Sequence, residues 1–257
     1  MRLASARLGL LALALAACDE FRLAPPSAGG PDAAAATDAA RLEDDARAPD
    51  AGAPDAAGDA ASLGCSAATT AFFCDDFEGG RLLGARWETT ALRAGALDMR
   101  ASRSPPTAFR VALAAAATPA PDHLQKTLSS SPTEGLRIDL DLLVSGTGGV
   151  AFALLDGERA VALGVQGALI ELSGETVTAT HPFAPRLDDG GWHHVIVRLD
   201  RQNDFVSINV DGDLVLTKTK VAALPKEPTV RIAVGAVRPP AATAWTASFD
   251  DVIVSKY

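Results

Sequence analysis

Few side chains in this sequence could do chemistry. Asp139-x-Asp141 sits inside Leu136-Arg137-Ile138-Asp139-Leu140-Asp141-Leu142, and on a strand residues two apart share a face, so both carboxylates point away from the apolar set. Paired carboxylates about 5 Å apart serve retaining glycoside hydrolysis. The polar face of a half-exposed strand carries the same residues, and that is the reading adopted; no catalytic residue is assigned. His193 and His194 are adjacent on an expected strand and face opposite ways, while His123 and His181 stand apart, so packed or surface imidazoles are expected for all four. No Gly-rich phosphate loop and no Gly-x-Ser-x-Gly elbow occurs. Three cysteines cannot all pair with one another. Cys65 and Cys74 enclose a short loop at the start of the folded part, and a disulfide rather than two free thiols is expected in a compartment that permits oxidation. Trp87, Trp192 and Trp245 are the only tryptophans on which a sugar ring could stack.

The compartment follows from the first residues. Arg2 and Arg7 precede the apolar run Leu8 to Ala17, which ends in small residues before Cys18. This is the three-part pattern of an export signal, and the run is shorter than the roughly 20 residues a spanning helix needs. Leu15-Ala16-Ala17-Cys18 resembles the lipobox of bacterial lipoproteins, which implies that Cys18 is lipidated and becomes the mature N-terminus. Acyl chains worth about 0.8 kcal/mol per buried CH₂ then hold the protein on a bilayer. Asp19 resembles an inner-membrane retention signal of some Gram-negative bacteria, so either envelope membrane remains open.

Residues 19–62 contain 16 alanines, 5 prolines and 10 acidic against 3 basic residues, with neither Val nor Ile. Such a stretch buries too little apolar surface to offset the entropy of ordering, and a disordered, self-repelling tether is expected. It carries −7 of the net charge of −9, and the signal carries +2, so the remaining residues hold only −4. Without a Lys/Arg run, nucleic acid is set aside as a partner.

From residue 63 to 257 the pattern has period two. Leu136 to Leu142 alternates cleanly, as do Val195-x-Val197-x-Leu199, Val206-x-Ile208-x-Val210 and Val230-x-Ile232-x-Val234, with turn residues at Asp156-Gly157, Gly174, Asp189-Gly190-Gly191 and Asp211-Gly212. Strands with one buried face follow. About a dozen of them, without a helical apolar face, imply an all-β fold: one antiparallel two-sheet jelly-roll sandwich over 63–257.

Phe73-Cys74-Asp75-Asp76-Phe77-Glu78-Gly79, with Trp87 after it, is similar to the opening of laminarinase-type β-glucanases, and Phe249-Asp250-Asp251-Val252-Ile253-Val254 resembles their closing strand. Gly191-Trp192-His193-His194-Val195 and Val206-Ser207-Ile208-Asn209-Val210-Asp211-Gly212 are similar to motifs of laminin G-like domains, Asn209 standing where Tyr is usual. The chain thus resembles the concanavalin A-like lectin and glucanase superfamily. The glucanases' Glu-x-Asp-x-x-Glu strand is missing, since Val144 stands where the third acid belongs. The resemblance also implies that first and last strands lie side by side, bridged by a structural calcium through Asp76 and Asp250. Asp250 and Asp251, facing opposite ways on a strand, would not both reach that ion. No cofactor is otherwise required.

The expected function is a membrane-anchored exported lipoprotein that displays a non-catalytic carbohydrate- or envelope-binding jelly roll. Its partners would be a glycan or another envelope component, and the bilayer through the lipid. Trp192 and Trp87 are assigned to the core, which leaves Trp245 as the ligand-binding aromatic. The alternatives are a polysaccharide hydrolase or lyase of the same fold and a structural or protein-interaction module of the envelope.

Overall fold

The structure, a computed structural model, describes residues 65–257 except 66, 67, 69, 80–85, 89–91, 101 and 223. The export signal, Cys18 and the acidic segment 19–62 lie outside the described residues. Fourteen strands follow: β1 (Ala71–Asp75), β2 (Ala96–Asp98), β3 (Ala108–Leu113), β4 (Asp122–Ser129), β5 (Leu136–Ser145), β6 (Val150–Asp156), β7 (Arg159–Gly164), β8 (Ala168–Ser173), β9 (Thr176–Pro182), β10 (Asp189–Asp200), β11 (Phe205–Val210), β12 (Asp213–Lys220), β13 (Thr229–Arg238) and β14 (Trp245–Lys256). There is no helix among the described residues.

The strands form two antiparallel sheets. One has the order β12-β11-β10-β5-β14-β3-β2 with β1 also on β14, and the other runs β4-β13-β6-β7-β8-β9. Since β5 accompanies β14 along its length, β3 and β1 share the opposite edge of β14, end to end. First and last strands are therefore neighbours, as the resemblance implied.

Alternation explains the core. Leu136, Ile138, Leu140 and Leu142 of β5 and Val195, Val197 and Leu199 of β10 face Leu124, Phe152, Leu154, Val161, Leu163, Ile232 and Val234 of the second sheet in one buried cluster. Each such side chain contributes about 1.5–3 kcal/mol on full burial. On β14 the inward residues are Trp245, Ala247 and Phe249, then Val252 and Val254. The change of parity is a β-bulge: register with β5 shifts between Asp250 and Ile253, and Asp251 takes a positive φ of 47°.

The opening motif is structural. Asp75 accepts from Phe77 N (3.0 Å), Arg86 Nη1 (2.7 Å) and Trp87 Nε1, and Trp87 packs edge-on against Phe73 and parallel to Phe77. Cys65 and Cys74 are joined in a disulfide, which ties the entry of the domain to β1.

Candidate functional site

The two outward faces differ sharply. On the six-stranded sheet the middle of the outward face is apolar: Val150, Ala153 and Leu155 of β6, Ala160 and Ala162 of β7, Ile170 and Leu172 of β8 and Val237 of β13 form a second cluster. That sheet curls enough for Arg238, at the end of β13, to donate to the carbonyl of Glu175 in the β8–β9 turn, three strands away. Toward its β4 edge the same face carries polar groups, with His123, Gln125 and Thr127 of β4 and Arg231 of β13 in the outward rows.

On the eight-stranded sheet the register of β10, β5 and β14 aligns outward side chains in four rows. They are Trp192, Leu143 and Ser248; His194, Asp141 and Asp250; Ile196, Asp139 and Ile253; and Arg198, Arg137 and Ser255. The acids lie deep and their cationic partners lie above them. Asp139 accepts Arg137 Nε (2.8 Å) and Nη2 (2.5 Å) as a fork. Asp141, fully buried, meets His194 Nδ1 at 2.9 Å, and Arg103 Nε lies 3.7 Å away. The hydrogen bond to Asp141 holds the His194 pKa above its ordinary value against the opposing effect of burial.

Asp250 anchors the segment before β3. Its Oδ2 accepts Arg103 N (3.0 Å), Ser104 N (2.9 Å) and Ser104 Oγ (3.1 Å), and its Oδ1 accepts Asp251 N (3.0 Å). The bulge overturns the parity argument for this pair: Asp251 also turns toward Ser104, whose Oγ is 3.1 Å from Asp251 Oδ2. Burial pushes Asp250 up to about 6. Burial, and then the Asp250 charge, push Asp251 up to about 7.

The two expected calcium ligands have different hydrogen-bond partners, although the Asp76 charge acts on Asp251, next to Asp250. Asp76 pairs with Arg86 Nη1 (3.2 Å) at the entry to the domain. Asp250 has N–H and O–H donors where a cation would need lone pairs. Beside Asp250, the buried Oδ1 of Asp251 and Oδ2 of Asp141 have no hydrogen-bond partner. Among the described residues no group of three or more His, Cys, Asp or Glu forms a metal cage.

Trp245 cannot be a stacking platform: it is 1% exposed on the inner face of β14. The Trp245-x-Ala247-x-Phe249 alternation already carried that signal. Trp87 is core as expected. Trp192 is not; it is half-buried on the outward face of β10, because the inward parity of that strand belongs to Val195, Val197 and Leu199. Neither are the histidines of β10 simple packed or surface rings. Burial lowers the His193 pKa, but hydrogen bonds to Asp211 (2.7 Å) and Asp189 (3.0 Å) outweigh it, and the net shift is upward. Elsewhere His181 Nε2 lies 2.6 Å from Glu171 Oε1, and burial lowers His123. Arg137 and Arg198, on opposed positions of β5 and β10, were missed by sequence reasoning, although strand parity placed them outward.

A family model described as the concanavalin A-like lectin/glucanases superfamily matches residues 128–257. Comparison with curated proteins found no match. Among solved structures, a cellulose induced protein, Cip1, is similar over 71% of this chain and 96% of its own at 16% identity, with a TM-score of 0.52. A carbohydrate esterase, vb_24B_21, of the Shiga toxin-encoding bacteriophage phi24B is similar over 73% of this chain and 98% of its own at 15% identity, with a TM-score of 0.50. These likenesses concern the fold.

Proposed function

The chain belongs to the concanavalin A-like lectin/glucanases superfamily, and from that premise we propose that its sandwich is a non-catalytic carbohydrate-binding domain. In this reading Cys18 carries the lipid, residues 19–62 provide reach, and the outward face of the eight-stranded sheet meets a glycan of the cell envelope. One observation carries the binding reading. Asp139 and Asp141 of that face are buried and engaged, Asp139 by the Arg137 fork and Asp141 through Oδ1 by His194, while the half-exposed Trp192 stands in the next row. A hydrolase needs a free acid and a free nucleophile or base flanking the substrate. A binding site needs an aromatic face and fixed hydrogen-bonding groups. A glycan array probed with the full-length chain tests this: selective binding, lost in Trp192→Ala, is expected, and binding to no glycan sinks it. Cys18→Ala should release the chain from membranes.

A second reading is favoured by the buried Asp250 and Asp251, whose raised pKa values of about 6 and about 7 suit proton transfer. It predicts glycan cleavage or ester hydrolysis that disappears in Asp250→Asn and Asp251→Asn.

A further inference from the structure

We infer that the glycan recognised on this face bears carboxylates, and that Arg198 and Arg137 are the residues that read them. The inference rests on the carbohydrate-binding reading above and gives it a substrate class. Arg198 on β10 and Arg137 on β5 stand directly opposite one another, and like charges opposed on neighbouring strands destabilise a sheet. An opposed like-charge pair near the strand ends, relieved only on the Arg137 side by Asp139, is the kind of local conflict that marks a functional site.

The row extends on both sides of the pair. Ser207 of β11 lies opposite Arg198, and Ser255 of β14 lies opposite Arg137. Four neighbouring strands therefore present hydroxyl, guanidinium, guanidinium and hydroxyl in one line. The guanidinium groups also keep donors in reserve. Arg137 engages Asp139 through Nε and Nη2, which leaves Nη1. Arg198 gives Nη1 to Asn209 Oδ1 (2.9 Å), which leaves Nε and Nη2. A planar carboxylate matches such a fork with two parallel hydrogen bonds.

The surroundings suit a sugar acid. Tyr257, the single tyrosine, is 61% exposed and lies near enough to Arg198 and Asp200 for both charges to act on its hydroxyl. It rests against Gly135, where an added Cβ would come within 2.9 Å of the ring. An aromatic platform thus lies within charge reach of Arg198. Asp139 is already held by Arg137. Asp200, next outward on β10, is engaged by Asn203 N (3.1 Å) and Nδ2 (2.9 Å), and the Lys218 charge acts on it as well. From this row to Trp192 is six residues, roughly 20 Å of strand, a span for several sugar rings in an extended chain.

The test measures binding of the full-length chain to immobilised polygalacturonate and alginate, to fully methyl-esterified polygalacturonate, and to dextran sulfate. The expected result is binding to at least one uronate polymer, roughly tenfold or more weaker binding to the neutral ester and to dextran sulfate, and at least tenfold loss in Arg198→Gln. That variant should melt at the native temperature or above it, since it relieves the repulsion. Independently of any variant, the preference for acid over ester should collapse in about 0.5 M NaCl. Equal binding to acid and ester, with Trp192 required for both, overturns the inference and leaves the glycan-binding reading standing. Equal binding to dextran sulfate, or binding to neither uronate polymer, overturns it too.

Discussion

The inward faces of the two sheets are alike and the middles of their outward faces differ. Inward, both present Leu, Val, Ile and Phe to one core. Outward, the eight-stranded sheet sets acids beneath cations around Trp192, whereas the six-stranded sheet presents Ala153, Ala160, Ala162 and Leu172 in a second apolar cluster. The lesson concerns division of labour. Alternation on one side frees every second residue for polar work, while the near-continuous apolar run Val150 to Leu155 gives β6 two buried faces.

The contrast can be broken first at Asp250. Asp250→Ala leaves Arg103 N, Ser104 N and Asp251 N without their acceptor, while Ser104 Oγ keeps Asp251, and urea unfolding should show a loss of about 3–5 kcal/mol. A loss below about 1 kcal/mol would mean that this anchor is dispensable. On the other face, Ala162→Leu overfills a cluster built from small residues and should cost about 1–3 kcal/mol in the same assay. A neutral result there would show that the apolar face has room to spare.

Titration tests the polar face as a whole. The ordinary value for Asp250 and Asp251 is 3.8, and their folded values are about 6 and about 7. Across that window the folded state holds more protons than the unfolded chain, so their contribution declines as pH rises from about 4 to about 7. His193 and His194, both raised, contribute fully below the ordinary imidazole value and lose that contribution as pH rises through their folded values. These four signs agree and outnumber His123, whose lowered value acts the other way, so the melting temperature should be higher at pH 5 than at pH 8, by roughly 5 °C. Asp251→Asn should flatten the profile; a native profile that rises with pH contradicts the placement of these acids.

Much of this was legible in the sequence, for physical reasons. The alternation from Leu136 to Leu142 depends only on the pleat, so β5 and the outward placement of Asp139 and Asp141 could be read directly. The Cys65–Cys74 bridge followed from cysteine arithmetic and the nearness of the two residues in sequence. Burial of those acids was not legible, because it depends on Arg137, His194 and Arg103, which arrive from a neighbouring residue, a second strand and a distant loop. Nor was the convergence of Asp250 and Asp251 on Ser104. Strict parity assigns them opposite faces, and only the bulge at Asp251, with its positive φ, reverses this. Trp245 and Trp192 are a different case. Their parities were set by Ala247 and Phe249 and by Val195 and Val197, and assigning Trp192 to the core missed the half-buried ring on the outward face.

At Trp192 a small expected effect on stability accompanies a large expected effect on binding. Trp192→Ala should lower stability by only about 1 kcal/mol, since its ring is half-buried and its neighbour Leu143 is only partly covered. The central claim is that glycan is bound on the outward face of the eight-stranded sheet. A binding isotherm for the glycan selected on the array, run in parallel for the native chain, Trp192→Ala and Ala162→Ser, tests it most directly. The account predicts a loss of roughly tenfold or more for Trp192→Ala and an unchanged constant for Ala162→Ser; the reverse pattern would contradict it.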